Sequence, residues 1–505
     1  MQDIGYNDRF AALKAAIRGS APPDPVPPDD PVDPIPDPPS DDNYRDAVED
    51  FIDGIANDPT REVQLPWKDK TLRLAPKVSG GRHMKWEGLT DKVIDLNGCT
   101  FLGTEPSLML RLDRLDGVTI KNGRFFGYGD LATEATWDAN NRQFVVSNGS
   151  PTGRNVYTIG TIPAQYSGGA LRNDQVYREV FVQDMSNHRG DASRYGTYEL
   201  VGRNWVLRSG EVPDFEDGQL VSIQLENNDG HAIVPNNEEH IRNVTFEDLV
   251  FCNIPGMAIT GETDGNTKFR NIRFHRKQGA LLSVASDGLH LDNSRDGVLI
   301  EGCNLAYIND DFVNCNAKWA RVTSVDGNTV TVSRAVKGHI NIGKFCDAGE
   351  GIVFGDSGGN FGDRPIDGGS VVVHNSITRS IESGKSHTFT LDSPAGVSVG
   401  MLVVNRDRTT SDVTIRKNVF STTRATGIKA RSSNTRIFEN KVLNCYGTAI
   451  RVDHFTDRGE GVFPHDVLIE DNEVTGSGRR DDIAEVGGPP QPYFFSDEVE
   501  GVVVR

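Results

Sequence analysis

The chain has 505 residues, 53 glycines and a net charge of −19, and 36% of its residues are hydrophobic. The acidic balance argues against nucleic acid as a partner, because phosphate backbones attract basic surfaces. No stretch approaches the roughly 20 apolar residues that span a bilayer, and no secretion signal is visible at the N-terminus. The composition therefore indicates a glycine-rich protein without a membrane span.

The N-terminal segments are predicted to be a helix, a spacer and a second helix. Apolar residues at helical spacing predict an amphipathic helix over 1–20. Residues 21–42 form a Pro/Asp-rich linker whose ten prolines favour extended polyproline II. Apolar residues at helical spacing then predict a capping helix, namely Tyr44, Val48, Phe51 and Ile55. Ser40 and Asp41 are candidate caps for this helix.

From about residue 60 the chain repeats short β-runs that are interrupted by Asn, Gly or Asp. Runs with this pattern include GVTIKNGRFFG, IRNVTFEDLVF, GVLIEGCNLAY, SDVTIRKNVFST and NTRIFENKVLN. Several recur after roughly 22 to 32 residues, which is the period of a solenoid. Because one such strand pair has no core of its own, successive coils must stack to bury their apolar residues. We therefore predict an all-β fold, a right-handed parallel β-helix.

Two stretches interrupt the repeat, and both contain hairpin candidates such as ARVTSVDGNTVTVS. They predict small β-rich inserts at 131–230 and 317–410. The coils of the β-helix then occupy 43–130 together with the capping helix, 231–316 with the candidate catalytic residues, and 411–505.

The cysteines lack any CxxC pair, which argues against a zinc site, and we expect them to be buried free thiols. Apolar residues of successive coils are predicted to stack in one inward ladder, namely Ile259, Leu289, Phe312, Ile428 and Ile450.

Three aspartates in SDGLHLDN and NDDFVNCN are the main candidates for chemistry. Asp287 and Asp310 are 23 residues apart, one coil in this register, so we expect them to stack about 4.8 Å apart, with Asp311 adjacent. Like charges this close cannot all ionise at their usual pKa, so one carboxyl should keep its proton near neutral pH. Hydrolysis of a glycosidic bond requires such an acid beside a base. A direct Asp287–Asp310 stack favours the short carboxyl separation of retaining enzymes, and the Asp287–Asp311 diagonal favours the longer one of inverting enzymes.

The segment SDGLHLDNSRDGVLIEGCNLAYINDDFVN resembles the glycosidase branch of the pectin-lyase-like β-helix proteins. It is most similar to glycoside hydrolase family 110, and the likeness covers roughly 235–475. This resemblance implies an inverting α-1,3-galactosidase that removes terminal α-linked galactose from a carbohydrate substrate and needs no cofactor. It also implies that Asp310 is the acid, while Asp287 and Asp311 position and deprotonate water.

Polar and aromatic residues near the aspartates are candidates for binding the sugar. The candidates are His290, Asp292, Asn314, Trp319, Arg424, Lys429 and Arg431. Trp319 is expected to stack on a sugar face. No metal is predicted, because His290 and His454 lack a third ligand at useful spacing. Thr426 stands where the family pattern has an arginine, which leaves the galactoside specificity open.

Other functions remain open at this stage. A phage tailspike or surface glycan-binding spike would explain the helix and the proline-rich stalk. The three-aspartate layout also resembles family 28 polygalacturonases, although their Gly-His-Gly strand is missing and GHI at 338–340 lies in an insert. A polysaccharide lyase fits the acidic site poorly. All of these place the protein outside the cell, in the periplasm or on a virion, and a homo-oligomer is compatible with each.

Overall fold

The structure is a computed structural model that describes the chain except for a set of segments. These segments are 1–42, 77–81, 105–106, 128–130, 147–157, 162–178, 182–196, 202–203, 210–216, 219, 225–229, 236–239, 278–281, 335–344, 356–365, 381–383, 393–395, 424, 446, 454–459, 462–463, 478–492 and 496–500. The predicted helix over 1–20, the linker over 21–42, and residues Ser40, Asp41, Arg424 and His454 therefore lie outside the described residues.

The N-terminal coils begin with helix α1 (Arg45–Ala56). Their strands are β1 (Glu62–Gln64), β2 (Thr71–Leu74), β3 (Met84–Glu87), β4 (Val93–Asp95), β5 (Thr100–Gly103), β6 (Leu110–Asp113), β7 (Leu115–Asp116) and β8 (Thr119–Phe126). An antiparallel sheet follows, made of β9 (Ala132–Asp138), β10 (Gln143–Val146), β11 (Thr158–Thr161), β12 (Glu179–Phe181), β13 (Thr197–Val201), β14 (Asn204–Ser209) and β15 (Leu220–Gln224).

The central coils contain β16 (Ile233–Pro235), β17 (Ile241–Arg242), β18 (Thr245–Cys252), β19 (Ile259–Gly261), β20 (Thr267–Arg270), β21 (Arg273–His275), β22 (Leu289–Asp292), β23 (Val298–Glu301), β24 (Asn304–Ile308) and β25 (Val313–Asn316). A closed barrel interrupts them and consists of β26 (Trp319–Asp326), β27 (Thr329–Arg334), β28 (Gly351–Phe354), β29 (Ile366–Ser380), β30 (Gly384–Leu391) and β31 (Leu402–Asn405). A 3-10 helix at Arg406–Arg408 leads back to the coils.

The C-terminal coils contain β32 (Val413–Arg416), β33 (Val419–Thr423), β34 (Ile428–Ala430), β35 (Thr435–Phe438), β36 (Lys441–Cys445), β37 (Ile450–Val452), β38 (Val467–Glu470), β39 (Glu473–Thr475), β40 (Tyr493–Phe495) and β41 (Val503–Val504).

The coils stack through three parallel ladders, one for each side of a roughly triangular coil. Ladder 1 runs β1-β4-β8-β18-β20-β23-β32-β35-β38-β41. Ladder 2 runs β2-β5-β8-β18-β21-β24-β33-β36-β39. Ladder 3 runs β3-β6-β16-β19-β22-β25-β34-β37-β40. Crossovers between parallel strands are right-handed in nearly all proteins. The predicted fold class, a right-handed parallel β-helix with β-rich inserts, is confirmed.

The Asn, Gly and Asp residues in the repeat make the corner between ladders 1 and 2. Asn122, Asp248 and Asn271 have φ of 60°, 52° and 50° there, a left-handed conformation that Asn and Asp adopt more readily than other side chains. Each such residue turns the chain sharply, so that one run supplies a strand to both ladders. The pattern that interrupts each β-run is therefore the source of the polygonal coil.

The interior is filled by columns of like side chains. Phe101, Phe125 and Phe251 stack with ring centroids 5.2 and 5.3 Å apart. Helix α1 covers the N-terminal end of this core with its buried Val48 and Ile52. The helix begins at Arg45, whose N–H donates to Asn43 Oδ1 at 3.2 Å. The cysteines are free and buried, as predicted. Among the described residues, no helix has both the length and the apolar character needed to cross a membrane.

The register of ladder 3 differs from the prediction at one position. Leu289 pairs with Val313 and not with Phe312, and Val313 in turn pairs with Ile428. The coil between Leu289 and its partner is therefore one residue longer than the alignment of the apolar residues predicts. As a result Asp287 stacks on Asp311, whose N–H donates to Asp287 Oδ1 at 3.1 Å, and the predicted direct stack of Asp287 on Asp310 is wrong.

Candidate active site

Three carboxylates lie at the corner where the chain enters ladder 3. One side-chain oxygen of each of Asp287, Asp310 and Asp311 lies within 4.8 Å of the others. Asp287 precedes β22 and Asp311 precedes β25, so that two adjacent coils supply the group. Asp287 and Asp311 are buried, whereas Asp310 is partly exposed. Asp310 is thus the member of this aspartate triad that solvent and a ligand reach most directly.

Asp311 is held in place on both oxygens. Its Oδ1 accepts the backbone N–H of Thr426 at 3.0 Å, and its Oδ2 lies 2.5 Å from Lys429 Nζ. Burial raises the pKa of Asp311 to about 7; the Lys429 ammonium opposes this rise, and the charges of Asp310 and Asp287 add to it. The triad therefore keeps a proton up to about neutral pH, which is the condition for an acid and a base side by side.

Asp287 is paired with His290, which lies three residues further on in β22. Its Oδ2 makes a short contact with His290 Nδ1, and the other ring nitrogen, Nε2, lies 3.1 Å from Asp292 Oδ1. Burial disfavours a charged ring here, but Asp292 and Asp287 outweigh it and hold the pKa of His290 well above its usual value. At neutral pH the ring is therefore an imidazolium between two carboxylates.

Further ion pairs continue across the outer face of ladder 3. Lys318 Nζ lies 3.1 Å from Asp292 Oδ2 and 2.7 Å from Glu262 Oε1. Burial raises the pKa of Asp292, but Lys318 and His290 outweigh it and bring that pKa far below its usual range. Asp292 therefore stays ionised and balances both cations.

A second buried cluster adjoins the triad one coil further on. Arg431 Nε lies 2.8 Å from Asp453 Oδ1, and its Nη1 contacts Glu460. Arg451 Nε lies 2.6 Å from Asp453 Oδ2. Because each guanidinium faces a carboxylate, this cluster is internally balanced, and it forms a rigid wall beside Lys429.

The predicted sugar-binding residues fall into different places. His290, Asp292, Lys429 and Arg431 all lie in the ion-pair network, and Asn314 is buried beside His290, its Nδ2 3.4 Å from Nδ1. Trp319 begins the barrel and is 2% exposed, packed with Leu402 and Val404. That burial does not support the predicted stacking of Trp319 on a sugar. Arg424 lies outside the described residues.

Several members of the network are not among the residues predicted from the sequence. Lys318 continues the outward alternation of Asn314 and Asn316, so period-2 counting past the end of β25 could have found it. Glu262 likewise follows β19, one coil below Asp292. Glu460 gave no such signal, because it reaches Arg431 from outside the repeat through an isolated bridge to Lys318.

The triad could also hold a cation, since carboxylate oxygens this close suit hard metal ions. Lys429 already places an ammonium 2.5 Å from Asp311 Oδ2, and His290 contacts Asp287. Two of the three carboxylates therefore already face a fixed positive charge, which competes with a metal for the same oxygens.

No protein-family profile matches the chain. It is 24% identical over 249 residues to alpha-1,3-galactosidase B of Bacteroides thetaiotaomicron, an alignment that covers 46% of this chain. The chain spans 37% of the length of that relative.

Two solved structures are similar to the chain at lower sequence identity. The A-module of the Azotobacter vinelandii mannuronan C-5 epimerase AlgE6 has a TM-score of 0.32 at 8% identity, over 92% of this chain and 96% of that one. The catalytic domain of a GH87 alpha-1,3-glucanase has a TM-score of 0.26 at 8% identity, over 87% of this chain and 56% of that one. At such scores the likeness adds nothing to the strand pairings described above.

Proposed function

We propose that the protein is an inverting glycoside hydrolase that removes terminal α-linked galactose from a glycan. The observation that carries the proposal is the aspartate triad, in which Asp287, Asp310 and Asp311 share a corner within 4.8 Å. Asp310, the partly exposed member, donates a proton to the leaving oxygen. Asp287 and Asp311 position a water molecule and take its proton as it attacks the anomeric carbon.

The burial of two carboxylates favours attack by water over attack by the protein. Both oxygens of Asp311 and both of Asp287 already accept hydrogen bonds or ion pairs. A nucleophilic carboxylate must reach the sugar carbon itself, whereas a base needs only to contact a water molecule. The oxygens of the triad are closer together than the carboxyl separation of about 6.5–9.5 Å typical of inverting enzymes, so the stereochemistry is the sharpest test.

The charges around the triad favour a neutral sugar over a uronate. Lys429 faces Asp311, Lys318 faces Asp292 and Arg431 faces Asp453. Lyases and epimerases that act on uronates need a positive charge to neutralise the substrate carboxylate. Among the described residues of the site, these three cations are engaged by protein carboxylates instead. This balance supports hydrolysis of a neutral hexoside.

The choice of galactose rests on likeness. The segment that contains the triad resembles glycoside hydrolase family 110, and the relative from Bacteroides thetaiotaomicron is named alpha-1,3-galactosidase B. An α-1,3-linked galactoside is therefore the first substrate to test, ahead of other hexosides.

The experiment is release of galactose from an α-1,3-linked galactoside by the full chain and by single variants. Asp310→Asn and Asp287→Asn are each expected to lose about 10²–10⁴-fold in turnover, the usual contribution of a positioned acid or base. Asp471→Asn is the matched control, since Asp471 is exposed at a corner of the C-terminal coils, and it should keep full activity. Wild-type rates in either triad variant would refute the assignment.

The first-formed sugar anomer, followed by NMR, separates the two hydrolytic routes. Inversion yields the β-anomer of galactose from an α-linkage, whereas a retained α-anomer would show that a carboxylate attacks directly. A rise in absorbance near 235 nm would instead identify a lyase. Glycan binding with no product at all would favour a binding spike.

A further inference from the structure

A continuous chain of charged contacts leads from the aspartate triad to the start of the barrel. It runs from Asp311 N–H to Asp287 Oδ1, and from Asp287 Oδ2 to His290 Nδ1. It continues from His290 Nε2 to Asp292 Oδ1, and from Asp292 Oδ2 to Lys318 Nζ. Every side chain in it is buried or nearly so, so that water does not screen the contacts.

The position of the histidine ring determines its charge state. Both ring nitrogens face carboxylate oxygens, and a neutral imidazole can donate only one hydrogen. Only the protonated ring can therefore satisfy Asp287 and Asp292 together. Such a ring is fixed at two points, and it in turn fixes the plane of the Asp287 carboxylate.

We infer that His290 is a positioning residue that holds the Asp287 carboxylate aimed at the attacking water, with Asp292 and Lys318 as its supports. This role rests on the proposed hydrolytic function, and it replaces the sugar contacts expected of His290 and Asp292 from the sequence. A ring enclosed by protein on both nitrogens has no hydrogen left for a sugar hydroxyl, whereas a charge beside the base affects every substrate equally.

Other groups lie around His290 in the same network. Asn314 and Asn316 on β25 face its ring nitrogens, and His231 before β16 lies close enough for the charge of His290 to lower its pKa. Next to these, Glu262 after β19 contacts Lys318, and Lys429 on β34 contacts Asp311, with Asp310 beside it. His231 stays neutral, because burial and the charge of His290 lower its pKa to about 4. Its Nδ1 accepts the N–H of Met257 at 3.0 Å. His290 is thus the protonated histidine of this group at neutral pH.

The activity test uses the pH profile of kcat/KM in His290→Gln. Glutamine keeps a donor near Asp287 but removes the positive charge beside it, so the acid limb of the profile should move up by about one to three pH units. His387→Gln is the matched control, because His387 is also fully buried but lies in the barrel. It should leave the acid limb in place even if it lowers stability. An acid limb that stays in place in His290→Gln would overturn the inference.

A second measurement does not depend on activity. In histidine-labelled wild-type protein, NMR should show the His290 ring protonated well above pH 7. In Asp292→Asn its midpoint should fall, because one of the two stabilising charges is gone. A wild-type ring that titrates at the ordinary value of about 6.5, or one unaffected by Asp292→Asn, would overturn the inference. Because this result does not require sugar release, it separates failure of the positioning role from failure of the proposed hydrolysis.

Discussion

The outer faces of ladders 1 and 3 carry the same kinds of charged residue, but these residues are buried to different extents. On ladder 1, Arg416 pairs with Glu301 at 2.6 Å, and the two side chains are 36% and 25% exposed. On ladder 3 of the same coil, Arg431 pairs with Asp453 at 2.8 Å, and both side chains are 2% exposed. Solvent screens the first pair, whereas the second lies in a low-dielectric surrounding.

The comparison indicates what makes one face of a repeating fold a candidate for chemistry. The alternation of the strands supplies outward polar residues on every side of the coil. On ladder 3 the start of the barrel, at Lys318, and the bridge to Glu460 cover these residues. Burial then shifts their pKa values and ties their charges into one network, which an exposed face does not do.

The largest expected difference between the faces is in stability. Arg431→Met leaves Asp453 and Glu460 buried without their main cation and should lower the free energy of unfolding by about 3–5 kcal/mol. Arg416→Met, the same change on ladder 1, should cost about 1 kcal/mol or less. Urea denaturation of the two variants measures both values. Equal costs would show that burial does not distinguish the faces.

A smaller effect is expected from a buried corner between ladders 1 and 2. Asn440 Nδ2 donates to Ile415 O at 2.8 Å, and its Oδ1 accepts from Asn418 Nδ2 at 2.9 Å. Asn440→Ala leaves these buried groups unsatisfied and should cost about 1–3 kcal/mol. Glu473→Ala, on an exposed neighbouring strand, should cost far less. The pH profile of activity should be the same in both variants, and a shift in Asn440→Ala would mean that the corner acts on the site.

Much of the fold was predictable because a solenoid is determined by local repetition. In each β-run, Asn122 or an equivalent residue makes the corner, and the alternating apolar residues that point inward specify the core. The register of one coil was not predictable in this way. Phe312 and Val313 are both apolar and buried, so the pattern alone allows either one to face Leu289, and only the packing of neighbouring coils selects Val313.

The site was predictable as a group of residue types but not as a network. The spacing of SDG and NDD was enough to bring Asp287, Asp310 and Asp311 to one corner. Whether a polar side chain binds a sugar or another side chain depends on what covers it, and the cover comes from residues distant in sequence such as Glu460. For that reason His290 and Trp319, predicted as sugar contacts, are buried among protein atoms instead.

The smallest expected effect tests the charge balance of the triad itself. Lys429 is the cation that lowers the pKa of Asp311, against burial and the two neighbouring carboxylates that raise it. Because the three carboxylates lie close enough to titrate together, the proton of Asp311 is shared with Asp310, the proposed acid, and activity in the wild type should fall as pH rises through about 7. Lys429→Met removes the opposing charge, so the pKa rises further and this basic limb should move up by about one pH unit or more.

The control for Lys429→Met is the same substitution on an exposed strand. Lys441 pairs with Glu473 at 3.0 Å and is 57% exposed, so Lys441→Met should leave the profile of kcat/KM unchanged. A basic limb that stays in place in Lys429→Met would mean that its proton belongs to a group that Lys429 does not contact. Because Lys429 contacts Asp311, the size of the shift tests whether the proton that catalysis requires is held at the triad.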